Sequence, residues 1–228
     1  MAKKSRYSVQ ELVKQIGERA GEMRSKTITI VGLGGVGSVL AEMTARAGIG
    51  LRIIDKGRVL EEELQRQSLF LNEDVTKFKA KQAKKRLEAI NPEAKVKAFH
   101  EELNQNTTYL LESDLVVDCS NDLKVSMLVD KYCSKKGIPM IYCYAAGTQG
   151  QVFVVYKKAS LNEISDYVKN QRIREEGITA AAVHMGASII ASTAAKLLLD
   201  MPYEKNMVAY DAWDLTIDTK YVRKNKKK

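Results

Sequence analysis

The sequence predicts an α/β protein whose mostly parallel sheet carries helices on both faces. Two observations lead to this prediction. Short apolar runs typical of buried strands alternate along the chain with helical patterns, which favours parallel strands joined by helices. A glycine-rich segment, residues 32–38, stands between the first such strand and the next helix. With 228 residues and 45% hydrophobic content, the chain can bury one sizeable core, and it contains no linker-like stretch, so we expect a single domain over residues 1–228.

The first half of the chain supplies three strands and three helices. Ser8 and Glu11 form a capping-box pattern, which predicts a helix over residues 8–24 within an N-terminal helical segment, residues 1–25. The β-branched run 27–31 predicts a buried strand. The further elements expected here are a helix around 39–43, a strand at 51–54, a helix at 79–90 that ends before Asn91-Pro92, and a strand at 95–99.

The second half continues the alternation and then departs from it. Its expected elements are a strand at 115–118, a helix at 123–134, strands at 139–143 and 151–156, a helix of small residues at 180–199, and short strands at 208–210 and 215–217. The last helix is followed by strands close together in sequence rather than by another helix. The parallel pattern is therefore expected to end before this region.

The glycine-rich segment has the spacing of a nucleotide-binding loop. Gly32, Gly34 and Gly37 satisfy G-x-G-x-x-G between a strand and a helix, the context in which this motif binds phosphate in Rossmann-like folds. Without side chains, the backbone N–H groups and the helix N-terminus can approach phosphate oxygens directly. Asp55 ends the next strand, where a carboxylate can accept hydrogen bonds from a ribose. The motif does not choose between a dinucleotide and ATP.

Charge and cysteine content narrow the partners and the compartment. The net charge is +9, partly from the basic tail at residues 223–228. This tail is interpreted as a solvated segment, with attraction to an acidic protein or to RNA as the alternative. The basic residues are not interleaved with aromatic ones, which argues against a nucleic-acid partner. The three cysteines form no C-x-x-C pair, and we see neither a signal-peptide core nor an apolar run near 20 residues, so we expect a cytoplasmic protein without zinc or a membrane span.

Five further landmarks follow the glycine loop in a specific order: residues 64–67 (LQRQ), 74–80, 86–92, 116–122 and 147–152. In this order they resemble the MoeB/ThiF/HesA adenylyltransferases of the ubiquitin-activating superfamily, over residues 27–156 and again at the helix 180–199. The resemblance implies an enzyme that uses ATP and Mg²⁺ to adenylate the C-terminal glycine of a small ubiquitin-like sulfur carrier ending in Gly-Gly, in sulfur transfer for thiamine, molybdopterin or tRNA thiolation. It also implies a homodimer, for which the small-residue helix offers a face for close approach.

The resemblance also assigns roles to individual residues. Gly35 would lie at the nucleotide phosphates and Asp55 at the ribose, while Arg66 and Lys79 would contact the phosphates. Asn121-Asp122 stands where the family has Asp-Asn, whose aspartate helps to bind magnesium, so Asp122 is the expected Mg²⁺ ligand. Catalysis would then fall to Arg66, Lys79 and Asp122. The full set expected to bind the nucleotide is Gly32, Gly34, Gly35, Gly37, Asp55, Arg66, Gln67, Lys79, Asn121 and Asp122.

Several positions depart from the family pattern. They are Val9 for an N-terminal Arg, Gly57 for a second Asp, Glu63 for an Asn, the inverted pair Asn121-Asp122, and Ser126 for an Arg. The zinc-binding C-x-x-C pairs are absent, and no cysteine follows Cys143, where thioester-forming members have one. We therefore expect adenylation without a cysteine thioester, and interpret Cys119 and Cys143 as small buried hydrophobic residues. His184 is interpreted as a packed or helix-start residue.

Two other functions stay open on these residues. One is a nucleotide-binding regulator or partner of the same fold that has lost catalysis, which the departures would explain. The other is an NAD-dependent oxidoreductase, which the glycine loop alone would allow. The oxidoreductase hypothesis requires a substrate domain that we do not find in the sequence, and it gives no role to Arg66 and Lys79.

Overall fold

A computed structural model describes residues 5–157, 159–164 and 176–220. These residues form one eight-stranded sheet in the order β3-β2-β1-β4-β5-β6-β7-β8. The strands are β1 (Thr27–Val31), β2 (Gly50–Ile54), β3 (Val96–Phe99), β4 (Leu115–Asp118), β5 (Met140–Ala146), β6 (Gln149–Val155), β7 (Met207–Asp211) and β8 (Thr216–Lys220). The basic tail predicted at residues 223–228 lies outside the described residues.

The helices cover both faces of this sheet. They are α1 (Ala20–Ser25), α2 (Gly35–Arg46), α3 (Lys79–Ile90), α4 (Leu123–Lys136) and α5 (Ala180–Leu198). Apolar residues of α2, α3 and α5 share one core cluster with the sheet, and those of α4 share the second. The predicted α/β class with helices on both faces is confirmed, and the predicted helix at 79–90 matches α3 residue for residue.

The sheet is mostly parallel, over five of its eight strands. Strands β1 to β5 pair in parallel, whereas β5–β6, β6–β7 and β7–β8 are antiparallel. Only Gly147 and Thr148 separate β5 from β6, and a connection this short can join antiparallel strands but not parallel ones. The change of direction thus begins one strand earlier than the sequence pattern suggested.

The continuous helix predicted over residues 8–24 is wrong. The chain there forms two 3-10 turns, Gln10–Leu12 and Gly17–Arg19, followed by the six-residue α1. Val13 is extended, with ψ at 116°, and Gly17 has a positive φ of 31°, so the backbone leaves the helical region twice. No side chain caps the first turn, so the capping box predicted from Ser8 and Glu11 does not form.

Tertiary contacts of Tyr7 account for this outcome. Tyr7 is buried, and its hydroxyl oxygen accepts a 2.9 Å hydrogen bond from the buried amide of Asn91. Its ring lies against Gly48, whose φ is +80°, and under the guanidinium of Arg24 at 4.7 Å. This anchoring sets the path of the N-terminal segment, since local pattern is a weak constraint compared with burial.

Helix α5 contradicts a second expectation, that the chain has no long apolar run. It is 19 residues long and apolar enough, by length and composition alone, to cross a membrane, so the expectation that no apolar run approaches about 20 residues is wrong. In the structure it is a core helix, with Ala182, Gly186, Ala187 and Ile190 buried and the helix packed on α2. The small residues are therefore divided: those on one face pack inside the chain, whereas Ala181, Ser188 and Ser192 are exposed.

Close backbone contacts hold the glycine loop between β1 and α2. Gly32 has a φ of +88°, and a Cβ there would lie 2.7 Å from the carbonyl oxygen of Cys119. A Cβ on Gly37 would overlap the carbonyl oxygen of Gly32. Gly37 therefore acts by letting α2 pack onto the loop. Gly34, in contrast, has no atom within 4 Å of the position a Cβ would take.

Gly37→Ala is expected to lower the free energy of unfolding by about 1–3 kcal/mol, because the added methyl meets backbone that cannot turn away. Gly34→Ala is the matched control and should change it by less than about 0.5 kcal/mol. Urea unfolding followed by circular dichroism measures both. Equal stability of the two variants would show that the Gly37 contact is not what sets this turn.

Candidate functional site

A cavity of about 260 Å³ opens at the carboxyl ends of the parallel strands. It lies where β1 has β2 on one side and β4 on the other, the crevice in which open α/β sheets bind ligands. Its lining residues are Gly32, Gly34, Gly35, Val36, Asp55, Glu63, Arg66, Gln67, Lys79, Cys119, Ser120, Asn121, Cys143, Ala145 and Ile178.

The N-terminus of α2 forms one wall of the cavity. Gly34 is the N-cap residue, and no side chain caps the helix. The first N–H groups of a helix have no partner within it, and the helix dipole makes this end positive. Gly35 packs closely on α5, because a Cβ there would lie 2.8 Å from Cγ2 of Val183. The wall therefore suits an anion such as phosphate.

Asp55 ties this wall to the neighbouring strand. One carboxylate oxygen accepts the N–H of Leu33 at 2.7 Å, and the other accepts the N–H of Gly57 at 2.6 Å. The first bond fixes the glycine loop, and the second fixes the turn that leads away from β2. Each oxygen keeps a further lone pair, so the carboxylate can still accept a hydroxyl from a bound molecule.

Arg66 and Gln67 bring a cation and an unpaired amide to the cavity. The Arg66 guanidinium donates to the carbonyl of Glu62 at 3.0 Å, and its stem lies 3.7 Å from the position of a Cβ on Gly35. Within the described residues it has no carboxylate in ion-pair range. Gln67 is 1% exposed, and its amide oxygen has no hydrogen-bond partner among the described residues. The Arg66 guanidinium is therefore available to a ligand, while the buried oxygen of Gln67 is an acceptor without a partner beside the cavity.

Lys79, in contrast, already has a partner. It begins α3, where its N–H donates to the carbonyl of Gly57 at 3.0 Å, and its Nζ lies 2.7 Å from Oε1 of Glu63. The side chains of Lys79 and Glu63 are 9% and 14% exposed. The second oxygen of Glu63 accepts the N–H of Leu60 at 3.0 Å. In the sequence Glu63 stands out only as a departure from the family pattern, and no sequence signal predicted this ion pair.

The structure separates the two residues of the Asn121-Asp122 pair. Asn121 lines the cavity, with a left-handed φ of 58°. Asp122 is exposed and absent from the lining, and one of its carboxylate oxygens accepts the N–H groups of Lys124 at 2.8 Å and Val125 at 3.3 Å. Asp122 is thus the N-cap of α4, a role that an Asp directly before a helical pattern could have suggested.

Of the ten residues expected to bind the nucleotide, the cavity brings together eight and leaves out Gly37 and Asp122. Gly37 supports the loop from behind, and Asp122 caps a helix. For both, the expected contact with a ligand lacks the support of the geometry. The roles of the other eight stay predictions.

Two cysteines also line the cavity. The sulfur of Cys143 lies 3.5 Å from that of Cys119 and 3.3 Å from the carbonyl oxygen of Asp118. The hydrogen bond with Cys143, together with burial, raises the pKa of Cys119 well above the usual thiol range. Cys143 is buried as expected, whereas Cys119 is half-buried.

Two further side chains bear on the expectations for this region. Burial raises the pKa of Asp118, which is 1% exposed and directly precedes Cys119. His184 is the fifth residue of α5, one turn after the helix begins, and it is exposed rather than packed. Its Nδ1 lies 2.9 Å from the carbonyl oxygen of Ala180.

Comparison with known proteins gives a consistent family. The model of the ThiF family matches residues 7–228. The sulfur carrier protein ThiS adenylyltransferase of Bacillus subtilis is 30% identical over 218 residues, which cover 91% of this chain and 65% of that protein. The sulfur carrier protein adenylyltransferase of Thermus thermophilus is 28% identical over 237 residues, covering 96% of this chain and 88% of that protein.

Solved structures agree on the fold. Escherichia coli MccB, crystallised with ATP, superimposes with a TM-score of 0.81 at 22% sequence identity. The match covers 96% of this chain and 72% of MccB. At this identity the likeness establishes the α/β architecture.

The thiols are expected to react slowly in the folded protein. Burial raises the pKa of Cys133 from 9.0 to about 12, which lowers its thiolate fraction at pH 8 by about 1,000-fold. The pKa of Cys119 is raised as well. Iodoacetamide labelling at pH 8, followed by peptide mass spectrometry, should therefore modify both far more slowly in the native protein than in urea. Labelling of native Cys119 at the unfolded rate would contradict the described hydrogen bond.

Proposed function

Because this chain belongs to the ThiF family, we propose that it uses ATP to adenylate the C-terminal glycine of a small ubiquitin-like sulfur-carrier protein. The observation that carries the proposal is the meeting of the glycine loop, the uncapped N-terminus of α2, Arg66 and Lys79 in one cavity. Sulfur carriers are named as the substrates of the Bacillus and Thermus relatives, which supports the choice of acceptor.

The reaction asks mainly for alignment and charge neutralisation. The carrier carboxylate attacks the α-phosphate of ATP, forming a C–O–P linkage, and pyrophosphate leaves with the electrons of the broken P–O bond. Arg66 can hold phosphate oxygens with a planar fork, while Lys79 supplies a mobile point charge. The N–H groups at the start of α2 oppose the developing negative charge without reorganising. No protein nucleophile is needed.

Magnesium is part of the proposal, and it would neutralise charge on the leaving pyrophosphate. This cation prefers oxygen ligands and is usually held by one or two carboxylates together with substrate phosphates. Among the described lining residues, Asp55 and Glu63 carry carboxylates. Both oxygens of Asp55 are fixed by backbone N–H groups, whereas one oxygen of Glu63 is held only by the Lys79 side chain, so Glu63 can reorient toward a cation more easily. Asp122 fits less well, because it caps α4 and lies outside the cavity. Zinc has no part in the proposal, since the sequence contains no C-x-x-C pair.

The proposed partner is a carrier that ends in Gly-Gly. Glycines pass a narrow channel because they have no side chain to clash, and the net charge of +9 favours an acidic partner. A cytoplasmic homodimer acting in thiamine, molybdopterin or tRNA thiolation stays part of the proposal. The dimer rests on the resemblance, on the prevalence of two-fold dimers and on the small residues of α5 that stay exposed, Ala181, Ser188 and Ser192.

A specific observation favours one alternative. Lys79, the lysine predicted to bind phosphate, is already paired with Glu63. Such a pairing is what we expect of a nucleotide-binding regulator that has lost catalysis. Pyrophosphate exchange distinguishes this function from the enzyme, because a regulator binds nucleotide without catalysing exchange. Preference for NAD over ATP in calorimetry would instead favour an oxidoreductase.

Arg66→Ala is expected to slow carrier-dependent ATP–pyrophosphate exchange by about 100- to 1,000-fold, the usual loss for one well-placed electrostatic donor. Arg66 is chosen over Lys79 because Lys79→Ala would also leave the largely buried Glu63 unpaired. Arg46→Ala is the matched control, since this exposed arginine of α2 pairs with Glu42 on the surface and should leave exchange unchanged. Wild-type protein that binds ATP but gives no exchange with any Gly-Gly carrier of the same organism would favour the regulator.

A second prediction concerns covalent chemistry on this chain. The variant with Cys119→Ala, Cys133→Ala and Cys143→Ala should keep exchange within roughly tenfold of wild type, with any loss due to packing. Intact-mass spectrometry of the wild type mixed with carrier and ATP should find no adduct that a reductant or thiol removes. Such an adduct, or an inactive but folded triple variant, would overturn the mechanism without a thioester.

A further inference from the structure

We infer that Glu63 is the carboxylate through which nucleotide binding depends on a divalent cation. In the free protein Glu63 neutralises Lys79, and when the nucleotide phosphates take Lys79, the released carboxylate meets the cation that the phosphates carry. This inference rests on the proposed function, because it presumes that ATP enters the cavity. It differs from the assignment of Asp122 that the family resemblance implied.

The starting observation is the confinement of the ion pair. Lys79 and Glu63 meet at 2.7 Å with 9% and 14% of their side chains exposed, inside the same cavity as Arg66 and the start of α2. Among the described residues, Lys79 has no other carboxylate in ion-pair range. Removing one partner from a pair this buried is strongly destabilising unless another charge takes its place. Phosphate that binds Lys79 therefore displaces Glu63, and Glu63 in turn needs a cation.

The surrounding acids are less free to serve. Asp55 holds the glycine loop and the turn after β2 through both of its oxygens. Asp122 holds two N–H groups at the start of α4 and lies outside the cavity. One oxygen of Glu63 is bound to Leu60, but the other is held only by a lysine side chain, which can turn without moving the backbone.

Electrostatics determines whether a divalent cation strengthens or weakens ATP binding. Without a divalent cation, Glu63 and the triphosphate compete for Lys79 and repel each other across the cavity. A cation between them turns this repulsion into two attractions, and Mg²⁺ commonly joins a carboxylate to substrate phosphates in this way. The substitution Glu63→Gln removes both the competition with the triphosphate for Lys79 and the carboxylate that would bind the cation.

Calorimetric titration of the full chain with ATP, once in excess Mg²⁺ and once in EDTA, tests this. Wild-type protein should bind ATP at least about tenfold more weakly in EDTA, a difference of about 1.4 kcal/mol. Glu63→Gln should bring the ratio of the two dissociation constants close to one and should bind ATP more tightly than wild type in EDTA. Asp122→Asn is the matched control and should keep the wild-type ratio, because Asn caps helices as well as Asp does.

Other results overturn the inference. A wild-type ratio near one would show that no cation is coupled to binding. A ratio lost in Asp122→Asn but kept in Glu63→Gln would place the cation at Asp122. If Glu63→Gln does not fold, as circular dichroism would show, Glu63→Asn is titrated in its place with the same expectation. Absence of ATP binding in every protein with Mg²⁺ would overturn the proposed function as well, whereas ATP binding with an unchanged ratio in Glu63→Gln overturns only this inference.

Discussion

The geometry of the site depends on two hydrogen bonds that the Asp55 carboxylate accepts. Through Leu33 it holds the glycine loop, and through Gly57 it holds the turn after β2. Gly57 in turn accepts the N–H of Lys79, so one carboxylate connects the start of α2 to the start of α3. The two helices that frame the phosphate end of the cavity are therefore positioned by the same side chain. A residue read as a ribose ligand also has a structural role that needs no ligand.

The charges in the cavity balance before any ligand arrives. Two cations, Arg66 and Lys79, stand with two carboxylates, Asp55 and Glu63. Arg66 is held only by a backbone carbonyl, whereas Lys79 is paired and largely buried. The two predicted phosphate contacts are thus unequal: one is available at once, and the other requires an exchange of partners. Sites of this kind bind selectively, because a ligand must replace the internal ion as well as fill the space.

Local patterns predicted the parts of the structure that local forces determine. The helix Lys79–Ile90 ends where Asn91-Pro92 stops it, and the buried strands follow their β-branched runs. The N-terminal helix failed because Tyr7 is held by Asn91, a residue 84 positions away. The Glu63–Lys79 pair spans 16 positions and depends on how the 3-10 turn Glu61–Glu63 meets the start of α3, which no local pattern encodes. Eight of the ten positions that the resemblance assigned to the nucleotide line the cavity, whereas Asp122 caps α4.

The packing of α5 on α2 has a consequence for how the chain is made. Synthesis proceeds from the N-terminus, and domains tend to acquire structure in that order. Helix α2 and strands β1 to β6 all precede α5, so they have left the ribosome when this long apolar helix emerges. Except for β7, whose Tyr210 packs on α5, the elements that cover the buried face of the helix therefore precede it, which shortens the time for which a segment apolar enough for a bilayer is exposed to water and to other nascent chains.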